Sequence, residues 1–218
     1  RLGEGCCAVA IRSKMILIPG HMLTDEYTRY VVTRKEDLAG ACGNARVTIS
    51  LMKKDAVKGA PDLYVIEHTT LGDFKDISQY FLEEINRIPN SGMLVCRDAS
   101  GVLKNHSVDR IVKQEVTNNA FEGKIRQKWQ GLSYVSDGVK PGYCMSIVVS
   151  YENPCAALGF ALGGNDTSQG VSTLTTKHDI VAYGKAFVSS KSHVMTPCSG
   201  TLPQQMYNVN FCARCTPK

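Results

Sequence analysis

Cys144 stands at the end of the Pro-Gly turn KPGYC and runs directly into the apolar stretch MSIVV. A thiol in that place could be the nucleophile of an acyl transfer, provided that a base takes its proton and backbone donors meet the developing oxygen anion. Gly142 lets successive N–H groups converge on one point, so the amides of Gly142, Tyr143 and Cys144 are the candidate oxyanion donors. The chain has five histidines, at 21, 68, 106, 178 and 193. His21 follows MILIPG, just past the end of an apolar strand, where a sheet can hold an imidazole at a cleft. His68 ends DLYVIEH, His106 and His178 lie in polar surroundings, and His193 falls in a Ser/Thr-rich tail. Among the twenty carboxylates, Asp62 follows Pro61 and opens LYVIE, a rigid start from which it could orient an imidazole. Each signal alone has a plainer reading: a cysteine starting a core strand, a histidine capping one, a Pro-Asp turn.

The elements that must carry these residues are mostly strands. CCAVAIRSK, KMILIPG, TRYVVTRK, ARVTISLMK, DLYVIEH, GMLVCRD, HSVDRIVKQEV, CMSIVVS, CAALGFALGG and GVSTLTT are short, apolar or β-branched, and bounded by turn-forming residues. That pattern predicts an all-β sandwich or barrel. One helix is expected, over FKDISQYFLEEINR, where Ile77, Tyr80, Phe81 and Ile85 recur at roughly helical spacing. The expected organisation is a first β domain over 1–82 with a truncated opening segment, a connector over 83–91, a second β domain over 92–185, and an extension over 186–218.

At 218 residues and 43% hydrophobic content, the chain can bury a large core. No apolar run approaches the length that spans a bilayer, so no membrane partner is expected. Nine cysteines form an odd, irregularly spaced set, which favours reduced thiols in a cytosolic setting over a disulfide framework. The net charge of +5 would help a nucleic-acid partner without requiring one. Arg1 is not an initiator Met, which points to a processed product or a piece of a longer precursor.

ILIPGHML, DLYVIEHTTLGDFKDISQYF, KPGYCMSIVVS and LGFALGGNDTSQG, in that order, resemble the motifs of the picornavirus-type 3C-like cysteine proteases, over about residues 3–180. The resemblance implies a chymotrypsin-like fold of two β-barrels with the active site in the cleft between them. It implies His21 as general base, Asp62 as the acidic member and Cys144 as nucleophile, with Gly142, Tyr143 and Cys144 around the oxyanion. It also implies that Val139, Phe160, Ala161, Leu162 and Gly163 line the substrate pocket. The implied activity is viral polyprotein processing in the host cell cytoplasm, with junction peptides as partners and no cofactor. The alternative is an RNA-binding module on the same fold, with its protease activity weak or lost.

The sequence departs from the family in four places. Met145 follows the nucleophile where the family has Gly, which narrows the turn. Val139 and Ala161 stand where the family has the Thr and His that read a substrate Gln, so a relaxed or non-Gln preference is expected. Where relatives carry an RNA-binding KFRDI-like segment, this chain has Asp73-Phe74-Lys75-Asp76-Ile77-Ser78. Lys75 is its remaining cation, which implies weak, salt-dependent RNA binding. Lastly, the N-terminal helix expected before the first barrel is missing and an extension follows the last barrel strand; that tail carries His193, Cys198 and a C-x-x-C at Cys212 and Cys215. These four could close a tetrahedral zinc site, but the His-Cys half is not a standard knuckle, and no metal is expected.

Overall fold

The strands predicted from β-branched, turn-bounded runs assemble around a closed six-stranded barrel in the second half of the chain. The computed structural model describes residues 5–6, 8–23, 28–33, 46–51, 56–67, 74–97, 102–119, 126–152, 156–192 and 212–216. The barrel contains β8 (Ser91–Arg97), β9 (Leu103–Asn119), β10 (Arg126–Val135), β11 (Ile147–Ser150), β12 (Ala157–Gly164) and β13 (Gln169–Thr173). They close in the order β10-β13-β12-β11-β8-β9. Its interior holds Leu94, Val108, Ile111, Leu132, Tyr134, Val148, Leu158 and Ala161.

The first half contributes two four-stranded sheets. One is β2 (Val9–Arg12), β3 (Met15–Pro19), β7 (Leu63–Glu67) and β6 (Val57–Ala60), in that order. The other orders β1 (Gly5–Cys6), β14 (Cys212–Thr216), β4 (Thr28–Thr33) and β5 (Arg46–Leu51), so a strand from the end of the chain lies between two from its beginning. The predominantly β architecture is chymotrypsin-like. Among the described residues the two sheets of the first half do not join into one ring, whereas the second half closes fully.

Two segments differ from expectation. The stretch FKDISQYFLEEINR forms only a single 3-10 turn, Ser78–Tyr80, rather than a helix. Its backbone and side chains are taken by tertiary partners: Phe74 bridges Ser13, the Ile77 N–H donates to the Ile11 carbonyl at 2.9 Å, and Phe81 bridges Ala157. Phe81 then buries its ring against Phe160, with centroids 5.6 Å apart. These long-range bonds override the local helical period.

The second difference is helix α1 (Lys177–Ser192), which begins inside the region expected to be the second β domain. Its start is a capping box: the Thr176 N–H donates to Asp179 Oδ2 at 2.7 Å, and the Asp179 N–H donates back to Thr176 Oγ1 at 3.3 Å. Ile180 and Tyr183 then bury themselves in a core that joins both halves, with Ile11, Leu17, Leu63, Val65, Phe160 and Leu162. The Tyr183 ring lies over Gly59, where an added Cβ would come within 3.1 Å of it. Of the expected tail ligands, His193 and Cys198 lie outside the described residues, and Cys212 and Cys215 are described only as backbone in β14.

Candidate active site

His21 is placed by the end of β3 and Asp62 by the start of β7, because these strands pair in a register that sets Pro19 opposite Leu63. The Gly20 N–H donates to the Asp62 carbonyl at 2.7 Å and closes the two strand ends together. Pro19 ends the strand, and His21 sits in the 3-10 turn Gly20–Met22. Asp62 has φ +55°, a left-handed conformation that aspartate tolerates better than most residues. The result is a hydrogen bond of 2.5 Å between His21 Nδ1 and Asp62 Oδ2, with the Asp62 side chain 2% exposed and that of His21 12%. Gly20 is required by this closeness: a Cβ there would stand 2.6 Å from the Tyr64 ring and 3.0 Å from Asp62 Oδ1.

Cys144 lies near enough to His21 to favour its protonated form. Burial disfavours the charged imidazole, but the hydrogen bonds to Asp62 and Cys144 and the charges of both outweigh it, and the His21 pKa is raised from 6.5 to about 10. The imidazole is thus built to hold a proton between a buried carboxylate and a sulfur. Tyr134, on the neighbouring β10, has its phenol pushed upward by burial first and by the nearby Cys144 second.

Cys144 belongs to a turn tied tightly at its rear. The Ser146 N–H and Oγ–H both donate to the Tyr143 carbonyl, at 3.1 and 2.5 Å. The Met145 N–H donates to the Ala161 carbonyl at 2.6 Å, and the Ala161 N–H to the Ser146 carbonyl at 2.8 Å. Cys144 Sγ lies 3.9 Å from the Leu162 carbonyl. Gly142 has φ +88° and Met145 φ +69°. A non-glycine residue in that region is strained by about 1–2 kcal/mol, and Met145 holds it with its side chain 1% exposed in the joint core.

The three expected oxyanion amides differ in their partners. The Tyr143 N–H donates to the Lys140 carbonyl at 3.2 Å within the turn, whereas among the described residues the Gly142 and Cys144 amides have no backbone acceptor.

The expected pocket residues divide in a similar way. Phe160 is fully buried against Phe81 in the core that joins both halves. Ala161 is buried in the barrel interior and Leu162 in the core that joins both halves, so these successive side chains point to opposite faces of β12, and Leu162 offers its carbonyl to the Cys144 side. Val139 and Gly163 are partly exposed, and Val139 packs directly on Gly164, where an added Cβ would collide with its Cγ1. Lys75 is exposed beside Asp76, whose carboxyl is held below its usual range chiefly by hydrogen bonds from Ser78. Sequence reasoning missed His106, whose ring lies under the nucleophile turn. Only the Gly138-to-Cys144 loop geometry reveals it.

No family model and no curated protein matches this sequence. Solved structures do match. The 3C protein of HRV-C, solved with rupintrivir, aligns with a TM-score of 0.51 at 14% identity, over 78% of this chain and 85% of that one. The NS6 protease of murine norovirus 1 aligns with a TM-score of 0.47 at 10% identity, over 77% of this chain and 84% of that one. The chain therefore has the 3C-like, chymotrypsin-type protease fold.

Proposed function

We propose that this protein is a cysteine endopeptidase of the 3C-like kind, acting on viral polyprotein junctions. The observation that carries the reading is the His21 imidazole, hydrogen-bonded to Asp62 at 2.5 Å with Cys144 close enough to favour its protonated form. In this reading the thiol proton passes to His21, where Asp62 stabilises the resulting cation. The sulfur then attacks the scissile carbonyl carbon, and the carbonyl electron pair moves to oxygen, facing the Gly142 and Cys144 amides. Collapse of that intermediate breaks the C–N bond as His21 returns its proton to the departing amine. Water then attacks the thioester with His21 as base, releasing the acid and restoring the thiol.

A junction-peptide library incubated with the protein and with Cys144→Ala tests the reading. Cleavage by the first and none by a folded second is expected, and undiminished turnover by the variant would reject it. Under mild labelling, a peptide electrophile should modify Cys144 ahead of the other thiols.

A further inference from the structure

His106 lies outside the three residues just described, yet its contacts converge on the segment that carries Cys144. It stands on β9, paired with Leu94 of β8. Its ring forms a floor beneath Gly138: a Cβ added there would meet His106 Cγ at 2.7 Å and Cβ and Cδ2 at 2.8 Å. Its Nδ1 is 3.1 Å from Asp137 Oδ1. Its ring centroid is 6.0 Å from that of Tyr143, tilted at 44°. Asp137, Gly138 and Tyr143 belong to one run of chain ending at Cys144, so a single side chain touches its beginning and its end.

Other bonds hold that run at its two ends: Val139 packs on Gly164, and Ser146 donates twice to the Tyr143 carbonyl. Its first part is anchored by the Ser136 N–H to the Ser168 carbonyl at 2.9 Å, and by Gly138 and Val139 amides turned back on Ser136 at 3.1 and 3.3 Å. Between Val139 and Cys144 the backbone bond among described residues is the turn from Tyr143 to Lys140. Between these anchors, the position of the Gly142 and Cys144 amides depends in part on what lies beneath the loop. His106 Nε2 is buried without a hydrogen-bond partner, so the orientation of the ring rests on Asp137 and on packing against Gly138 and Tyr143. With Asp137 accepting from Nδ1–H, the tautomer is fixed as well.

We infer that His106 is a positioning residue that holds the loop of Asp137 to Tyr143 so that the Gly142 and Cys144 amides face the reacting oxygen. The inference rests on the protease reading for its kinetic consequence but not for its structural one. The chemistry separates them. Alkylation of Cys144 by iodoacetamide displaces iodide from carbon and creates no oxyanion, so it depends on the sulfur and His21 alone. Acylation by a peptide ester creates an oxyanion and needs the two amides.

In His106→Ala, the kcat of peptide cleavage should fall about 10- to 100-fold, with KM changing far less and the iodoacetamide rate at Cys144 nearly unchanged. His106→Asn keeps an N–H for Asp137, and His106→Phe keeps a ring beneath Gly138, so each should recover part of the loss. They also serve as the test if the Ala variant does not fold. Equal losses in alkylation and acylation would mean general disruption and overturn the inference, as would full activity in all three variants. Amide NMR supplies the independent reading: the Gly142, Tyr143 and Cys144 signals should shift in His106→Ala while those of β2 and β3 stay in place. Unmoved signals would overturn the positioning role. If the parent protein cleaves no peptide while those signals move, the protease reading fails and the positioning role stands.

Discussion

Met145 sets two known effects against each other, and their sizes predict an inverted order of stability. Its φ of +69° strains any residue with a Cβ, and its side chain is 1% exposed in the core that joins the two halves. Truncating a buried Met to Ala costs about 2–5 kcal/mol in lost transfer and cavity energy. Met145→Ala loses that burial and keeps the strain. Met145→Gly loses slightly more burial but relieves about 1–2 kcal/mol of left-handed strain, from which about 0.4–1 kcal/mol must be subtracted for the freer unfolded chain. Glycine should therefore exceed alanine here by about 0.5–1 kcal/mol, the reverse of the usual order in regular structure. Both should fall below the parent, because burial outweighs strain; Met145→Leu should remain within about 1.5 kcal/mol of it. Urea unfolding of the four proteins at constant m-value measures this directly, and each 1 kcal/mol should move the thermal midpoint by about 2–4 °C. An Ala variant more stable than the Gly variant would refute the claim that Met145 carries backbone strain. A Gly variant more stable than the parent would refute the ranking of burial above strain.

Three further outcomes follow from the site. Because the His21 pKa in the folded protein, about 10, lies above its unfolded value of 6.5, its contribution to stability is complete below about pH 6.5 and is lost as pH rises toward 10. Denaturant midpoints over that window should fall, and Asp62→Asn should flatten the fall; an unchanged slope would remove Asp62 as the cause. Gly20→Ala should cost about 1–3 kcal/mol of stability and at least tenfold in peptide turnover, because its Cβ would press on the Tyr64 ring and on Asp62 Oδ1. Normal kinetics would mean that the His21–Asp62 geometry tolerates displacement. With the Ala161 side chain in the barrel interior and Val139 packed on Gly164, neither offers a polar group to a substrate amide. An unpaired amide costs about 1–3 kcal/mol, so a peptide panel should show Gln favoured over Met before the scissile bond by less than about tenfold, and a hundredfold preference would point to another reader.

The parts of this molecule that were legible in the sequence are those where punctuation and chemistry coincide. Pro19-Gly20-His21, Pro61-Asp62 and Pro141-Gly142-Tyr143-Cys144 each place a candidate side chain within three residues of a proline that ends or bends the chain, and the fold brings the three side chains together. The ten predicted strands have counterparts, CCAVAIRSK running from the end of β1 through β2, but β6, β10 and β14 were not foreseen. β6 is the short VKGA. β10 alternates long polar residues with Trp129 and Leu132 and owes its strand state to pairing with β9 and β13 on both sides. The false helix over 74–87 shows the opposite failure, a local period defeated by the partners of Ile77 and Phe81. The true helix carried a signal that went unread: Thr176 and Asp179 have the capping-box spacing, ahead of Ile180 and Tyr183. His106 is set aside in the sequence for its polar surroundings, because its contacts with Gly138 and Tyr143 come from the chain that folds over it.

The division of the site between the two halves of the chain explains why its neighbours in sequence matter as much as its members. His21 and Asp62 come from the β3–β7 sheet, and Cys144 comes from the turn before β11. A hydrogen bond across such a boundary is only as well aimed as the packing beneath it, and a displacement of about 1 Å can cost about a hundredfold in rate. Leu17 leads into His21, Leu63 follows Asp62 and Met145 follows Cys144, and all three are buried in the same joint core with Phe160 and Leu162. Each reactive residue is thus tied to a side chain that sees both halves. The strain at Met145 fits this arrangement: a glycine would turn the chain more easily but would remove the side chain that anchors the nucleophile turn to the core supporting His21 and Asp62. The left-handed Asp62 repeats the arrangement on the other side, with Leu63 buried behind it. Backbone strain at two of the three reactive positions or their neighbours is sustained by one core, so loosening that core should separate His21 from Cys144 before it unfolds either half.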